Sequence, residues 1–265
     1  MGFERHLEVA MKAAKRAGHL LKKRVNASSK ILFKGVVDLV TDVDHQSQSL
    51  IFDYISRHFP DDDFLFEEGL EKKKGSPFCW IVDPLDGTTN FAHAFPVFTV
   101  SIALEKDGMV ELGVVYDPMR EEMFSACKEK GAFLNGRKIK VSSVSDLNNS
   151  LIATGFPYDL RESEVNNLDH FSNFLTRVQA IRRCGSAALD LCYVACGRFD
   201  GFWELKLHPW DVAAGALIVR EAGGCVSDFR GERFEIFGKE ILATNGLIHN
   251  QMVEVLKLGK RVEKV

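Results

Sequence analysis

Residues 64–142 carry a series of short apolar runs, at 64–66, 79–82, 98–104, 110–116, 122–127 and 138–142, each short for a helix and well sized for a strand. Turn signals separate them: Lys106-Asp107-Gly108, Asp117-Pro118 and Asn135-Gly136. The pattern predicts an antiparallel meander. A sheet of this size has two broad faces, and each apolar face must be covered by another layer. That requirement constrains the rest of the chain.

The cover is written on both sides of the strand block. Phe3, Leu7, Ala10, Ala14, Ala17 and Leu21 recur at spacings of four and three, which makes one apolar stripe on a helix running to about Asn26. Leu50, Ile51, Tyr54 and Ile55 give a second helix the same kind of face over residues 46–58, and Phe59-Pro60-Asp61 ends it. Helical periodicity returns at 164–178, 186–196 and 210–222, with Gly223-Gly224 as a stop. Strand-like pieces around Ile152, Ile181, Gly201 and Ile241 interleave with these helices. Helix pairs alternating with two sheet-forming blocks predict a layered α/β (α+β) arrangement. With no internal repeat and no Pro-, Gly- or Ser-rich linker, residues 1–265 are expected to form a single unit, with sub-halves of about 1–145 and 146–265.

Charge and cysteine content narrow the partners. Lys and Arg number 34 against 37 Asp and Glu, a net −3. That near-balance gives no basic field for a nucleic-acid backbone, and the basic run at 128–140 reads as a solvated hairpin, so no direct nucleic-acid partner is expected. The six cysteines form no CxxC pair and no zinc-finger spacing, as expected for free thiols in a reducing compartment. No segment reaches the roughly 18 apolar residues of a membrane span. The first residues hold no apolar signal core, and His6 stands where a myristoylation signal wants Ser or Thr. The expected address is cytoplasmic, without a membrane partner.

The chemistry concentrates in Trp80-Ile81-Val82-Asp83-Pro84-Leu85-Asp86-Gly87-Thr88-Thr89-Asn90-Phe91. An apolar strand runs into two carboxylates three apart, with a proline fixing the bend between them and a glycine after them. Such a turn can aim Asp83, Asp86 and the Leu85 carbonyl at one point. Hard oxygen donors in that number suit Mg²⁺, Mn²⁺ or Ca²⁺ rather than zinc. The N–H and hydroxyl groups of Gly87, Thr88 and Thr89 can receive phosphate oxygens, and acids beside anion donors make sense when a cation lies between acid and phosphate. Glu67-Glu68, after the run at 64–66, and Asp211, opening an Ala-rich helix, are further acidic candidates. Helix capping alone would also account for Asp211.

Asp83-Pro84-Leu85-Asp86-Gly87-Thr88-Thr89-Asn90, followed in order by Trp210-Asp211-Val212-Ala213-Ala214-Gly215 and Glu221-Ala222-Gly223-Gly224, resembles the inositol monophosphatase family. Phe66-Glu67-Glu68 and Val40-Thr41-Asp42-Val43-Asp44 fit its upstream elements, so the likeness spans nearly the whole chain. One departure is Phe66, where a glycine is common before the glutamate. The resemblance implies a layered αβαβα sandwich of the sugar-phosphatase type, usually a homodimer, that hydrolyses small phosphorylated sugars or cyclitols in a Mg²⁺-dependent, Li⁺-sensitive reaction. It further implies two or three Mg²⁺ per subunit, with Mn²⁺ as a substitute ion. The metal ligands it implies are Glu67, Asp83, Asp86, Asp211 and the Leu85 carbonyl. Thr88 and Asp44 would position the attacking water, with Glu67 sharing the catalytic role, and the amides of Gly87 and Thr88 would hold phosphate. Gly185, Ser186, Ala187 and Glu204, with Asp211, would grip the hydroxyls, and Lys34 would lie on a loop over the metals.

Clustered in one cleft, Glu67, Asp83, Asp86 and Asp211 would alone carry more negative charge than the whole chain's net −3. They would raise one another's pKa values, and cations would relieve the strain. The expected reaction is in-line attack by water on inositol 1-phosphate, with no covalent enzyme intermediate. Arg182 and Arg183 could meet a second phosphate, which keeps a dual inositol monophosphatase/fructose-1,6-bisphosphatase open. A third reading is an interaction protein of the transcription machinery that retains the phosphatase site. The Asp42-Val43-Asp44 run imitates the nucleophile motif of haloacid-dehalogenase-type phosphatases, but Gln46 stands where that class wants Thr or Val.

Overall fold

The computed structural model describes residues 2–26, 31–33, 39–69 and 71–259, with the backbone alone for 31–33 and 39–41. In chain order its elements are α1 (Glu4–Arg24), β1 (Ile31–Phe33), β2 (Leu39–Thr41), α2 (Asp42–His58), β3 (Asp63–Phe66), β4 (Glu71–Lys72), β5 (Phe78–Asp86) and α3 (Thr88–Ala92). There follow β6 (Thr99–Lys106), β7 (Met109–Asp117), β8 (Glu122–Cys127), β9 (Gly131–Leu134), β10 (Arg137–Lys138) and β11 (Leu151–Thr154). The last third holds α4 (Leu168–Leu175), β12 (Ala180–Arg182), α5 (Ala187–Ala195), β13 (Gly201–Leu205), α6 (Pro209–Glu221), β14 (Cys225–Ser227), β15 (Glu240–Thr244) and α7 (His249–Leu256).

An eight-stranded sheet in the order β10-β9-β8-β7-β6-β5-β3-β4 carries the alternation that strands require. Trp80, Val82, Val100, Ile102, Leu104, Leu112 and Val114 pack toward α1 and α2, whereas Ile81, Ala103 and Val115 pack toward α5 and α6. The small stripe of α1, with Ala10, Ala13, Ala14 and Ala17 buried, lets that helix lie close to the sheet. Gly113 does the same on the opposite face, because a Cβ there would stand 2.7–2.8 Å from backbone atoms of Ala214 in α6. The second sheet runs β12-β11-β13-β15-β14. Its inner face, with Phe202, Ile241 and Ala243, closes the α5–α6 layer, and its outer face, with Trp203 and Leu242, packs against Phe174 of α4 and Met252 of α7. The result is helix pair, sheet, helix pair, sheet, helix pair: the expected αβαβα sandwich.

Several local expectations change. The strand at 64–66 belongs to the sheet but is parallel to β5, because β4 hairpins back along β3 and returns the chain to the starting end. The meander proper therefore begins at β5. The run at 138–142 pairs only through Arg137 and Lys138, which close the Asn135-Gly136 hairpin onto β9. Helix α2 starts at Asp42 rather than near residue 46, and α4 is shorter than the 164–178 pattern. β9, β14 and α7 had no clear apolar signature and were not foreseen. Among the described residues no helix is long and apolar enough to cross a membrane.

Candidate active site

The site forms where β5 breaks its ladder. Asp83 pairs with Ser101 and Asp86 with Thr99 of β6, a shift of one residue that marks a bulge across Pro84 and Leu85. In a regular strand, side chains three apart leave from opposite faces, and the inserted residue cancels that alternation. Proline is tolerated there because a bulge has a ladder hydrogen bond to spare. The turn is held from several directions: the Leu85 amide donates to Asp83 Oδ1 at 2.8 Å, and Ser47 Oγ of α2 donates to the Pro84 carbonyl at 2.8 Å. Gly87 sits at φ +97°, and a Cβ on it would press on the carbonyls of Val97 and Gly185 at 3.0 and 3.2 Å. No other residue fits that position without strain.

Two segments from the second half of the chain complete the arrangement. Ser186, the N-cap of α5, donates its hydroxyl to Asp86 Oδ2 at 2.6 Å, and the Ala188 amide reaches the same oxygen at 2.9 Å. Asp211 is not the N-cap expected from the sequence: His208 holds that position, and Asp211, at the third residue of α6, accepts the His208 amide at 2.7 Å. Ser101 Oγ, one ladder position from the bulge, donates to the Trp210 carbonyl at 3.1 Å and ties α6 to the sheet. Carboxylate oxygens of Asp83, Asp86 and Asp211 thereby come within 4.8 Å of one another.

Electrostatics makes this trio costly without a cation. Burial, then the charges of Glu67, Asp86 and Asp211, holds the Asp83 carboxyl well above the ordinary carboxylate range. Asp86 is pushed up to about 7 by burial and by Asp211, against the favourable donors Ser186 and Ala188. A hard divalent cation removes both penalties and matches an all-oxygen donor set, so the residues fit such an ion. They form one wall of a cavity of about 290 Å³ that is also lined by Glu67, Leu85, Gly87, Thr88, Arg183, Gly185, Ser186, Ala187, Asp190 and Glu204.

Most of the residues singled out from the sequence converge here. Glu67 follows β3 and lines the cavity, its charge felt by Asp83, although it stands outside the 4.8 Å trio. Phe66 before it is buried in β3 and stacks on Phe64, and the chain turns directly after it over Glu67 and Glu68, with Gly69 at φ +77°. Thr88 Oγ1 lies 3.3 Å from Asp44 Oδ1 and 3.1 Å from the Leu85 carbonyl, with Asp44 fully buried behind it. Arg183 lines the cavity, but Arg182 does not: its guanidinium turns back onto the Ile181 carbonyl at 3.0 Å. Lys34 lies outside the described residues.

Three contributors escaped the sequence reading. Asn90 Nδ2 bonds the carbonyls of Val97 and Cys184, both at 2.8 Å, and so clamps the 184–185 turn onto the carboxylate turn. Gly155 gives passage to Glu204, whose carboxylate oxygens lie 2.1–2.2 Å from where a Cβ would be. Asp190 is buried in the cavity wall. The Asn90–Cys184 and Gly155–Glu204 pairs are far apart in sequence, and the usable signal is faint: an Asn closing the Thr-Thr-Asn motif and an Asp inside an apolar helix.

The sequence profile of the inositol monophosphatase family matches residues 3–260. The chain belongs to that family. An inositol-1-monophosphatase from Synechocystis is 46% identical over 252 residues, covering 94% of this chain and 88% of that protein. Nus factor SuhB of Escherichia coli K12 is 42% identical, covering 93% and 94%. Among solved structures, an extragenic suppressor protein suhB from Bartonella henselae superimposes with a TM-score of 0.91 at 42% identity, covering 97% of this chain and all of that one. An inositol monophosphatase from Anabaena gives 0.89 at 41% identity, covering 97% of each. The family is metal-dependent, and the chain is a phosphatase of this family, consistent with the carboxylate trio.

Proposed function

We propose that this protein hydrolyses inositol 1-phosphate, or a closely related sugar or cyclitol monophosphate, with Mg²⁺, by direct attack of water. The observation that carries the reading is the convergence of the Asp83, Asp86 and Asp211 carboxylates, with burial and crowding that raise the pKa values of Asp83 and Asp86 and that a cation would relieve, beside the Gly87–Thr88 turn. Bound Mg²⁺, two or three per subunit with Mn²⁺ as a substitute, supplies Lewis-acid polarisation of the phosphate and a lowered pKa for water.

The chain's own groups do the rest. Asp83, Asp86, Asp211, the Leu85 carbonyl and Glu67 hold the ions, and the Leu85 oxygen keeps a lone pair free beside the one facing Thr88. Thr88 donates to Asp44, which leaves its hydroxyl oxygen as an acceptor that orients the attacking water, and Glu67 with the Thr88–Asp44 pair takes up the proton. The Gly87 and Thr88 amides hold phosphate, while Glu204, Asp211 and the Gly185-Ser186-Ala187 turn receive the hydroxyls. The active form is a Li⁺-sensitive cytoplasmic homodimer in which residues 1–265 act as one unit, since both halves line the cavity.

A phosphate-release panel of inositol 1-phosphate, fructose 1,6-bisphosphate, histidinol phosphate and 3′-phosphoadenosine 5′-phosphate tests the substrate, with the highest kcat/KM expected for inositol 1-phosphate. A trapped phosphoenzyme would defeat direct attack. The dual-activity alternative rests on Arg183, and an unchanged substrate ratio in Arg183→Ala would eliminate it. Relatives named Nus factor SuhB support a second reading, a transcription partner that keeps the phosphatase site. Rescue of a deletion phenotype by Asp83→Asn as well as by wild type would favour it.

A further inference from the structure

Asp190 is a buried cavity residue with hydrogen-bonding capacity left over. It lies four residues beyond the Ser186 N-cap, whose carbonyl takes its amide at 3.0 Å. The residue is 2% exposed and lines the cavity; its Oδ1 is closed off from solvent, yet no donor among the described residues reaches it. The Cys184 thiol is within hydrogen-bonding reach of the same carboxylate, and the exposed Arg183 cation acts on it from the cavity mouth. An unpaired buried acceptor is costly. Packing does not require it here, because Leu189, Leu191 and Cys192 beside it are buried apolar residues of the same helix.

Glu204 shares the situation from β13. It is 8% exposed and lines the same cavity, and its carboxylate receives no hydrogen bond from protein among the described residues. Two acidic side chains with open lone pairs in one wall recognise O–H donors and reject apolar groups. We infer that Asp190 is a specificity-determining residue whose side-chain carboxyl, where it borders the cavity, accepts a hydrogen bond from a polyol hydroxyl, directly or through one bound water, as a second acceptor beside Glu204. This role rests on the polyol-phosphate reading above for its substrate.

The test compares wild type, Asp190→Ala and Asp190→Asn on inositol 1-phosphate and on 4-nitrophenyl phosphate, whose leaving group carries no other hydroxyl. A lost hydrogen bond to a buried, uncharged acceptor predicts that the alanine variant's kcat/KM for inositol 1-phosphate falls about three- to tenfold further than that for 4-nitrophenyl phosphate, through KM. Asparagine keeps an acceptor oxygen and recovers most of the loss. Asp190→Ser, too short to reach, carries the alanine expectation should alanine fail to fold. Equal losses on both esters, or an unchanged ratio, overturn the inference. If wild type hydrolyses neither ester, the phosphatase reading fails, and saturation-transfer NMR with myo-inositol decides this one separately. Binding lost in Asp190→Ala and kept in Asp190→Asn supports it, whereas equal binding in all three, or none to wild type, overturns it.

Discussion

Burial and three neighbouring acids hold Asp83 protonated far above the ordinary carboxylate range, so its replacement by a neutral isostere has a signed consequence. Asp83→Asn removes the repulsion and raises the metal-free melting temperature at pH 8 by a few degrees, while the increase produced by Mg²⁺ disappears. Thermal melts with and without Mg²⁺ measure both. Gly155→Ala acts differently: its Cβ meets the movable end of Glu204 rather than backbone, so the expected outcome is a KM for inositol 1-phosphate about tenfold higher with little loss of stability. Unaltered KM in that variant would remove Glu204 from the binding wall. Asp83, Asp86 and Thr88 were legible because their chemistry is local, with acids, proline, glycine and hydroxyls in one run. Asn90 and Asp190 were not, because their meaning comes from partners such as the Cys184 carbonyl, 94 residues away in sequence.

At the scale of elements, the α6–β7 contact sets how closely the central helices approach the large sheet. Gly113→Ala drives a Cβ to within 2.7–2.8 Å of the Ala214 backbone, which cannot rotate away as a side chain would. Overpacking of this kind costs about 1–3 kcal/mol. Denaturant titration should show a lower midpoint at unchanged slope, and a wild-type midpoint would mean that α6 does not lie so near. The strand block and the α1 stripe could be read in advance because their periodicities are strong. The parallel β3–β5 pairing could not, since the short return strand β4 carries no pattern of its own. The start of α2 at Asp42 hid in the same way: its first turn is acidic and polar, yet it buries Asp44 behind Thr88.

For the whole molecule, the acids in the cavity link stability to pH and metal together. Their folded pKa values are raised, Asp86 to about 7 and Asp83, Asp190 and Glu204 well above the usual value, so the fold binds more protons than the unfolded chain in that window. Their contribution is therefore present below the unfolded carboxylate pKa of about 4 and is lost as pH rises through 7. Without metal the melting temperature should fall from pH 5 to pH 8, and added Mg²⁺ should restore it most at the higher pH, where the acids ionise to receive it. The central claim, that the trio holds the catalytic cation, is tested most directly by phosphate release from inositol 1-phosphate as Mg²⁺ is titrated into wild type and Asp83→Asn. The account predicts saturable activation of wild type, abolished by a chelator, and a loss of at least about a thousandfold in the variant at every practical Mg²⁺ level. Near-normal turnover by Asp83→Asn, or activity that survives the chelator, would contradict it.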